Sequence, residues 1–169
     1  MPLFCPKCKG NLTEGHSSYA CQSCDFTYYA GPNPATGVIL INPEGHVYLG
    51  RRTREPGKGL WDLPGGFIEF HESAEDGARR EIKEELGIDL DEVKLFCSYP
   101  NIYPYKGLEY YPLDIFLIAR ISEDKCLSIS HIEEFSEGRF FKPEKLPLDE
   151  LAFESQRKAL SDYLNMIKP

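Results

Sequence analysis

The chain has no apolar run approaching the ~18 residues needed to cross a bilayer as a helix. Its opening stretch, Met1 to Gly10, has no apolar core of the kind a secretory leader requires. A membrane span and a signal peptide are therefore not expected, and a cytoplasmic setting is the default. Positive charge is also scarce: 19 Lys and Arg stand against 27 Asp and Glu, a net charge of −8. A general nucleic-acid binder needs surplus Lys and Arg to neutralise phosphates, so nucleic acid is disfavoured as a partner. A small anionic substrate remains open to such a chain if metal ions supply the positive charge. No internal repeat and no low-complexity tract is present, which excludes a repeat architecture. With 41% hydrophobic and 27% charged residues, the composition is that of a globular protein. Its 169 residues suffice for one ordinary core and a small appendage.

Cysteine is nearly absent beyond the first segment, since four of the six lie within residues 5–24. Cys5-Pro6-Lys7-Cys8 and Cys21-Gln22-Ser23-Cys24 are two CxxC knuckles, and disulfides are disfavoured in a reducing compartment. Four thiolates in this pattern suit tetrahedral zinc, closed and therefore structural. His16 is an alternative ligand, although a surface role is the simpler reading. Cys97 and Cys126 are unpaired by pattern and read as core residues. The expected organisation is a zinc ribbon over residues 1–30, a turn at Gly31-Pro32-Asn33-Pro34, and a second domain over 35–169. Within the ribbon Lys7 and Lys9 balance Glu14 and Asp25, so it carries no basic patch.

In the second domain, Gly37–Ile41 and His46–Arg52 read as strands joined by the turn Asn42-Pro43-Glu44-Gly45. Residues 53–72 are rich in Gly and Pro and read as a loop. Ser73 can cap a helix with Asp76 as its capping-box partner, and Gly87 can end it. Ala74, Ala78, Ile82 and Leu86 form an apolar stripe at helical spacing. Gly77 inside that helix costs roughly 1 kcal/mol relative to Ala. Further strands are expected at Val93–Tyr99, Leu113–Ile121 and Arg139–Phe141. A closing helix over Glu154–Ile167 has Phe153, Leu160, Tyr163, Leu164 and Ile167 as its apolar side. Strands mixed with two helices give an α/β or α+β layered domain. Asp114 differs in parity from Leu113, Ile115 and Leu117 and reads as facing solvent.

The helix after Ser73 carries the chemistry. Glu81, Glu84 and Glu85 stand at i, i+3 and i+4 and share a face turned away from the apolar stripe. Three bare carboxylates there repel one another. Their grouping makes sense if hard divalent cations such as Mg²⁺ or Mn²⁺ sit among them, and such ions also favour phosphate oxygens. On its own the trio reads more simply as a solvated acidic face with Arg80 and Lys83 as local partners.

The flanking residues tip that balance. From Gly66 the chain runs five residues to Glu72 and seven more to Arg80-Glu81-Ile82-Lys83-Glu84-Glu85-Leu86-Gly87-Ile88. This resembles the Nudix box at every fixed position, and Trp61-Asp62-Leu63-Pro64-Gly65-Gly66 is similar to the family's lead-in. The resemblance implies a Nudix hydrolase with an α/β/α sandwich around a mixed sheet, cleaving the diphosphate linkage of a nucleoside diphosphate derivative. It implies that Glu81, Glu84, Glu85 and the Gly65 carbonyl ligate Mg²⁺ or Mn²⁺, and that Glu72 and Arg80 hold the loop to the helix. The general base is then a box glutamate or a later one, with Glu133, Glu134 and Glu137 as candidates. By the same similarity a homodimer is expected.

Arg51, Arg52 and Arg54 are candidate phosphate contacts, weighed against ordinary surface roles. Tyr99, Tyr103, Tyr105, Tyr110 and Tyr111 offer stacking surface for a base, with Tyr103 and Tyr105 foremost, weighed against core roles. A zinc ribbon ahead of such a domain looks like the NADH pyrophosphatase group. That group's Ser-Gln-Pro-Trp-Pro-Phe-Pro motif is replaced here by Ser98-Tyr99-Pro100-Asn101-Ile102-Tyr103-Pro104-Tyr105, which argues against NADH as the main substrate. ADP-ribose, a NAD-like compound or a nucleotide sugar is expected. The alternatives are a nucleoside triphosphate or capped-RNA pyrophosphohydrolase and a non-catalytic ligand-sensing regulator. The complete box disfavours the regulator, and the neutral ribbon disfavours capped RNA.

Overall fold

Short apolar segments broken by Gly and Pro give strands, and two longer 3.6-residue periods give helices. The computed structural model describes residues 4–122 and 134–168, so Cys126 and Glu133 lie outside the described residues. The chain divides into two compact units, Met1–Pro32 and Asn33–Pro169.

In the first unit β1 (Leu12–Glu14), β2 (Ser18–Cys21) and β3 (Thr27–Tyr29) form an antiparallel meander. Strands this short bury too little apolar surface to hold themselves together. Their anchor is the cysteine cluster. The Sγ atoms of Cys5, Cys8, Cys21 and Cys24 lie within 4.8 Å of one another. Cys5 and Cys24 are 3.9 Å apart, and Cys8 and Cys21 3.5 Å. Thiolates placed about 2.3 Å from a tetrahedral zinc are separated by about 3.8 Å, so these free thiols fit that ion. His16 is exposed and stands outside the cluster.

The second unit is built on a sheet ordered β11 (Phe135–Phe141), β5 (Val47–Arg52), β4 (Pro34–Ile41), β10 (Leu113–Arg120) and β7 (Val93–Pro100). Only β4 and β10 run parallel, with Leu117 opposite Val38; the other pairs are antiparallel. Helix α1 (Ala74–Leu86) covers one face, burying Ala78, Ile82 and Leu86 against Val38, Leu40, Tyr48 and Leu117. Helix α2 (Glu154–Ile167) covers the other, burying Ala159, Leu160 and Tyr163 against Ile39, Ile41, Leu49 and Phe116. This is the expected layered sandwich with a mixed sheet.

Several local readings are corrected. Strand β4 begins at Pro34, inside the segment read as a turn. The 53–72 loop contains a short strand, β6 (Trp61–Asp62), paired with β5. A hairpin of β8 (Tyr103–Tyr105) and β9 (Leu108–Tyr110) has no counterpart in the expected elements. Strand β11 starts four residues before Arg139, at Phe135. Ile167 is 40% exposed, its neighbours Asn165 and Met166 in the last turn of α2 are exposed too, and the buried side includes the polar Ser155 and Gln156. Asp114 is only 8% exposed. Helices cover both faces of the sheet, so neither parity of a central strand reaches solvent. Among the described residues no helix is long and apolar enough to cross a membrane.

Candidate active site

Helix α1 begins with the expected capping box: the Ser73 hydroxyl accepts from the Asp76 N–H at 3.1 Å, and Asp76 accepts from the Ser73 N–H. Gly87 ends the helix in the left-handed region at φ 72°, its N–H donating to the Lys83 carbonyl at 3.0 Å. Between these caps the three glutamates are graded in exposure. Glu84 is exposed, Glu81 half-buried and Glu85 only 4% exposed.

The loop before the helix is pressed against them. Gly65 has φ 143°, and a Cβ there would collide with the Thr36 carbonyl oxygen. A Cβ at Gly66 would lie 2.5 Å from Glu81 Oε1. Two glycines thus let the backbone run alongside the carboxylates. The Gly65 N–H donates to Glu85 Oε2 at 3.1 Å, and the Thr36 N–H donates to the Gly66 carbonyl at 2.7 Å. Arg80 ties the loop down from the helix. Its Nε and Nη2 donate to the two Glu72 oxygens at 2.8 and 3.1 Å, and Nη2 also to the Phe67 carbonyl at 3.0 Å. Its Nη1 reaches Glu81 at 2.8 Å and Glu84 at 3.3 Å. The Glu69 N–H completes the clamp on Glu72 at 2.9 Å. A Cβ on Gly77 would meet Glu72 Oε2 at 3.3 Å, which accounts for the helical glycine.

Charge at this centre is badly balanced. Burial pushes Glu85 well above the ordinary carboxylate range, with Glu81, Glu134 and Asp62 adding repulsion and the Gly65 N–H opposing. Burial also raises Glu81, with Arg80 opposing and Glu84 and Glu134 adding to the rise. Glu72 is lowered by its bond to Arg80. Buried carboxylates raised by one another and bonded only in part are a donor set suited to hard divalent cations.

The three arginines do different things. Arg51 donates to Glu137 at 2.7 Å and to the Gly59 carbonyl at 2.6 Å, lies 4.2 Å over the Trp61 ring, and lines neither cavity described below. Arg52 is buried, bonded to the buried Asp62 through Nη1 and to the Pro56 carbonyl through Nε at 2.7 Å. Arg54 pairs with Glu134 at 2.7 Å. Of the late glutamates, Glu137 is lowered by Arg51 and Arg139 and turned to them. Glu134 adds like charge at Glu81 and Glu85 and lines both cavities.

A cavity of about 160 Å³ opens beside Gly65 and Gly66. Its walls include Thr36, Phe67, Tyr103, Phe116, Glu134 and Phe153, with Asp62, Asn101, Asp114 and Gln156 also exposed to it. An adjoining cavity of about 410 Å³ shares Arg52, Phe67, Tyr103 and Glu134 with it and adds Arg54, Tyr105 and Tyr110. Tyr103 stacks on Phe153 at 5.7 Å and meets Phe67 edge-on at 6.2 Å. Tyr99 instead bonds Asp162 on α2, and Tyr111 bonds Glu109 at 2.7 Å. Asn101, Phe153 and Gln156 come from segments distant in the chain and carry no motif, so the sequence reading missed them. Asp62 lies within the Trp61–Gly66 segment, where a charge between Trp61 and Leu63 was the available signal.

The family model for the NUDIX domain matches residues 31–163. An NAD-capped RNA hydrolase NudC of Vibrio vulnificus is 30% identical over 103 residues, 60% of this chain and 39% of that protein. The chain thus spans well under two thirds of the length of such relatives. An RNA pyrophosphohydrolase of Erythrobacter litoralis is 30% identical over 129 residues, 66% of this chain and 76% of that one. Among solved structures, a NUDIX hydrolase from Nitrosomonas europaea superposes with a TM-score of 0.68 at 26% identity, covering 98% of this chain and 92% of that one.

Proposed function

The chain belongs to the NUDIX domain family, and from that premise we propose that it hydrolyses the diphosphate linkage of a nucleoside diphosphate derivative such as ADP-ribose, a NAD-like compound or a nucleotide sugar. The observation that carries this reading is the buried Glu85, with half-buried Glu81 repelling it, beside Gly65 and next to a cavity walled by aromatic rings. Divalent cations bound there would neutralise the diphosphate, lower the pKa of an attacking water and stabilise the leaving phosphate. Glu81, Glu84, Glu85 and the Gly65 carbonyl are the residues that would hold them.

The remaining work falls to the chain itself. Arg80 and Glu72 fix the loop so that Gly65 and Gly66 stay against the carboxylates. Glu134 lines the cavity, and we take it, rather than a box glutamate or Glu137, as the carboxylate that accepts a proton from water. Tyr103, Phe153 and Phe67 exclude water from one wall and offer faces to a planar ring. The first unit is a structural zinc ribbon on this reading, since four thiols leave no open position for water.

A Mg²⁺-dependent screen of nucleoside diphosphate derivatives tests the proposal. A nucleoside monophosphate is the expected product from at least one of them. Glu85→Gln should lower kcat by about a hundredfold or more, because metal assistance is worth several kcal/mol and each ~1.4 kcal/mol is tenfold. Full turnover by a folded Gln variant would refute the ligand assignment. The second reading, an RNA substrate such as a capped RNA, is favoured by the Vibrio relative, an NAD-capped RNA hydrolase, and the Erythrobacter relative, an RNA pyrophosphohydrolase. Including capped and triphosphorylated RNA in the screen separates the two.

A further inference from the structure

Asp114 is a carboxylate with no cationic partner among the described residues. It stands second in β10, on the side turned to Ser155 of α2, is 8% exposed, and lines the cavity beside Gly65 and Gly66. Its neighbours are neutral: the Ser155 hydroxyl donates to Oδ2 at 2.6 Å, and the Asn101 side chain is close enough to favour its charged form. Asn101 Oδ1 accepts from the Ile102 N–H at 2.8 Å, which leaves its amide nitrogen as the group free to act as a donor near Asp114. A carboxylate has about four acceptor sites. Two donors leave capacity on the side open to the cavity, and buried acceptor capacity facing a cavity is costly unless a donor fills it. Burial raises the Asp114 pKa, while Ser155 and Asn101 oppose the rise, in keeping with a carboxylate short of donors.

Charge decides which end of a substrate can meet this group. A diphosphate is repelled by Asp114 and belongs at the Gly65–Gly66 end. The flat walls near Asp114, formed by Phe116, Tyr103 and Phe67, suit the ring. Resting on the hydrolase reading above, we propose that Asp114 is a specificity-determining residue that accepts a hydrogen bond from the amino group of a nucleobase, selecting adenine, cytosine or guanine over their keto counterparts. Asn101, with its second amide N–H, is placed to serve the ring nitrogen beside that amino group.

The test compares matched substrates in the full-length protein with Mg²⁺: adenine against hypoxanthine, cytosine against uracil, and guanine against xanthine, each as the same diphosphate-linked sugar. At least one amino-bearing member should exceed its keto partner in kcat/KM by about ten- to a hundredfold, mostly through KM. Asp114→Asn, whose amide can donate to a carbonyl, should bring that ratio within about threefold. Ser155→Ala removes the tie to α2 but keeps the carboxylate, so it should preserve the ratio even if it lowers Tm. Calorimetric binding of the six nucleoside diphosphates should give the same ordering without turnover. Equal treatment of every pair by the unaltered protein, an unchanged ratio in Asp114→Asn, or no binding of any nucleotide would overturn this inference. Discrimination in binding with no hydrolysis would instead strike at the proposed function.

Discussion

At the scale of single residues, the site works by holding Glu85 where it is not comfortable. Its carboxylate is buried beside Glu81, Glu134 and Asp62, and its pKa is raised well above the ordinary 4.5. For such a group the folded chain holds its proton to higher pH than the unfolded chain does. Stability is therefore greatest below the ordinary value and is lost as pH rises through the folded-state pKa. In metal-free protein, Glu85→Gln should raise Tm at pH 8, by roughly 2–4 °C for each kcal/mol relieved, with the gain shrinking as pH falls toward 5. Mg²⁺ should stabilise the unaltered protein and have a much smaller effect on the variant. A Gln variant less stable than the parent at pH 8 without metal would contradict the electrostatic account. The box glutamates were legible because their spacing is a motif. Asp114 was not, because parity distinguishes core from solvent only when one face of a strand is wet, and here helices cover both. Arg52 was misleading for a related reason: its neighbour in space is Asp62, ten residues away and buried.

At the scale of elements, both helices could be read closely because apolar period is a local signal, reinforced in α1 by its caps. The helix bounds Ala74–Leu86 and Glu154–Ile167 follow from Ser73, Gly87 and the apolar spacing. The capping box holds the N-terminus of the helix that carries the carboxylates. Ser73→Ala should cost about 1 kcal/mol, read as a fall in Tm of roughly 2–4 °C, with little change in KM. An unchanged Tm would show that Arg80 and Glu72 already secure that end. The strands were harder. Strand β6 is two residues long and exists because Gly50 and Arg51 pair with it. The β8–β9 hairpin turns at Lys106-Gly107, both at positive φ, a signal the sequence does carry in the Gly but one obscured by the surrounding tyrosines.

At the scale of the molecule, two units rest on different physics. The second has two apolar clusters, one on each face of its sheet, as its source of cohesion. The first has three short strands around four thiols, with Cys5 its single fully buried hydrophobic residue among those described. Metal analysis should give about one zinc per chain. A zinc chelator should unfold residues 1–32, seen as loss of amide protection there, while the second unit keeps its Tm within a few degrees. Four oxidised cysteines with no zinc would reject the ribbon.

The account's central claim is that the crowding of Glu81, Glu84 and Glu85 is tolerated because cations belong among them. Anomalous diffraction from a crystal soaked with Mn²⁺ and a non-hydrolysable nucleoside diphosphate analogue tests it most directly. At least one strong manganese peak is expected within coordination distance of these carboxylates and the Gly65 carbonyl, with the analogue's phosphates against it. An ordered analogue with no manganese at that position would contradict the claim.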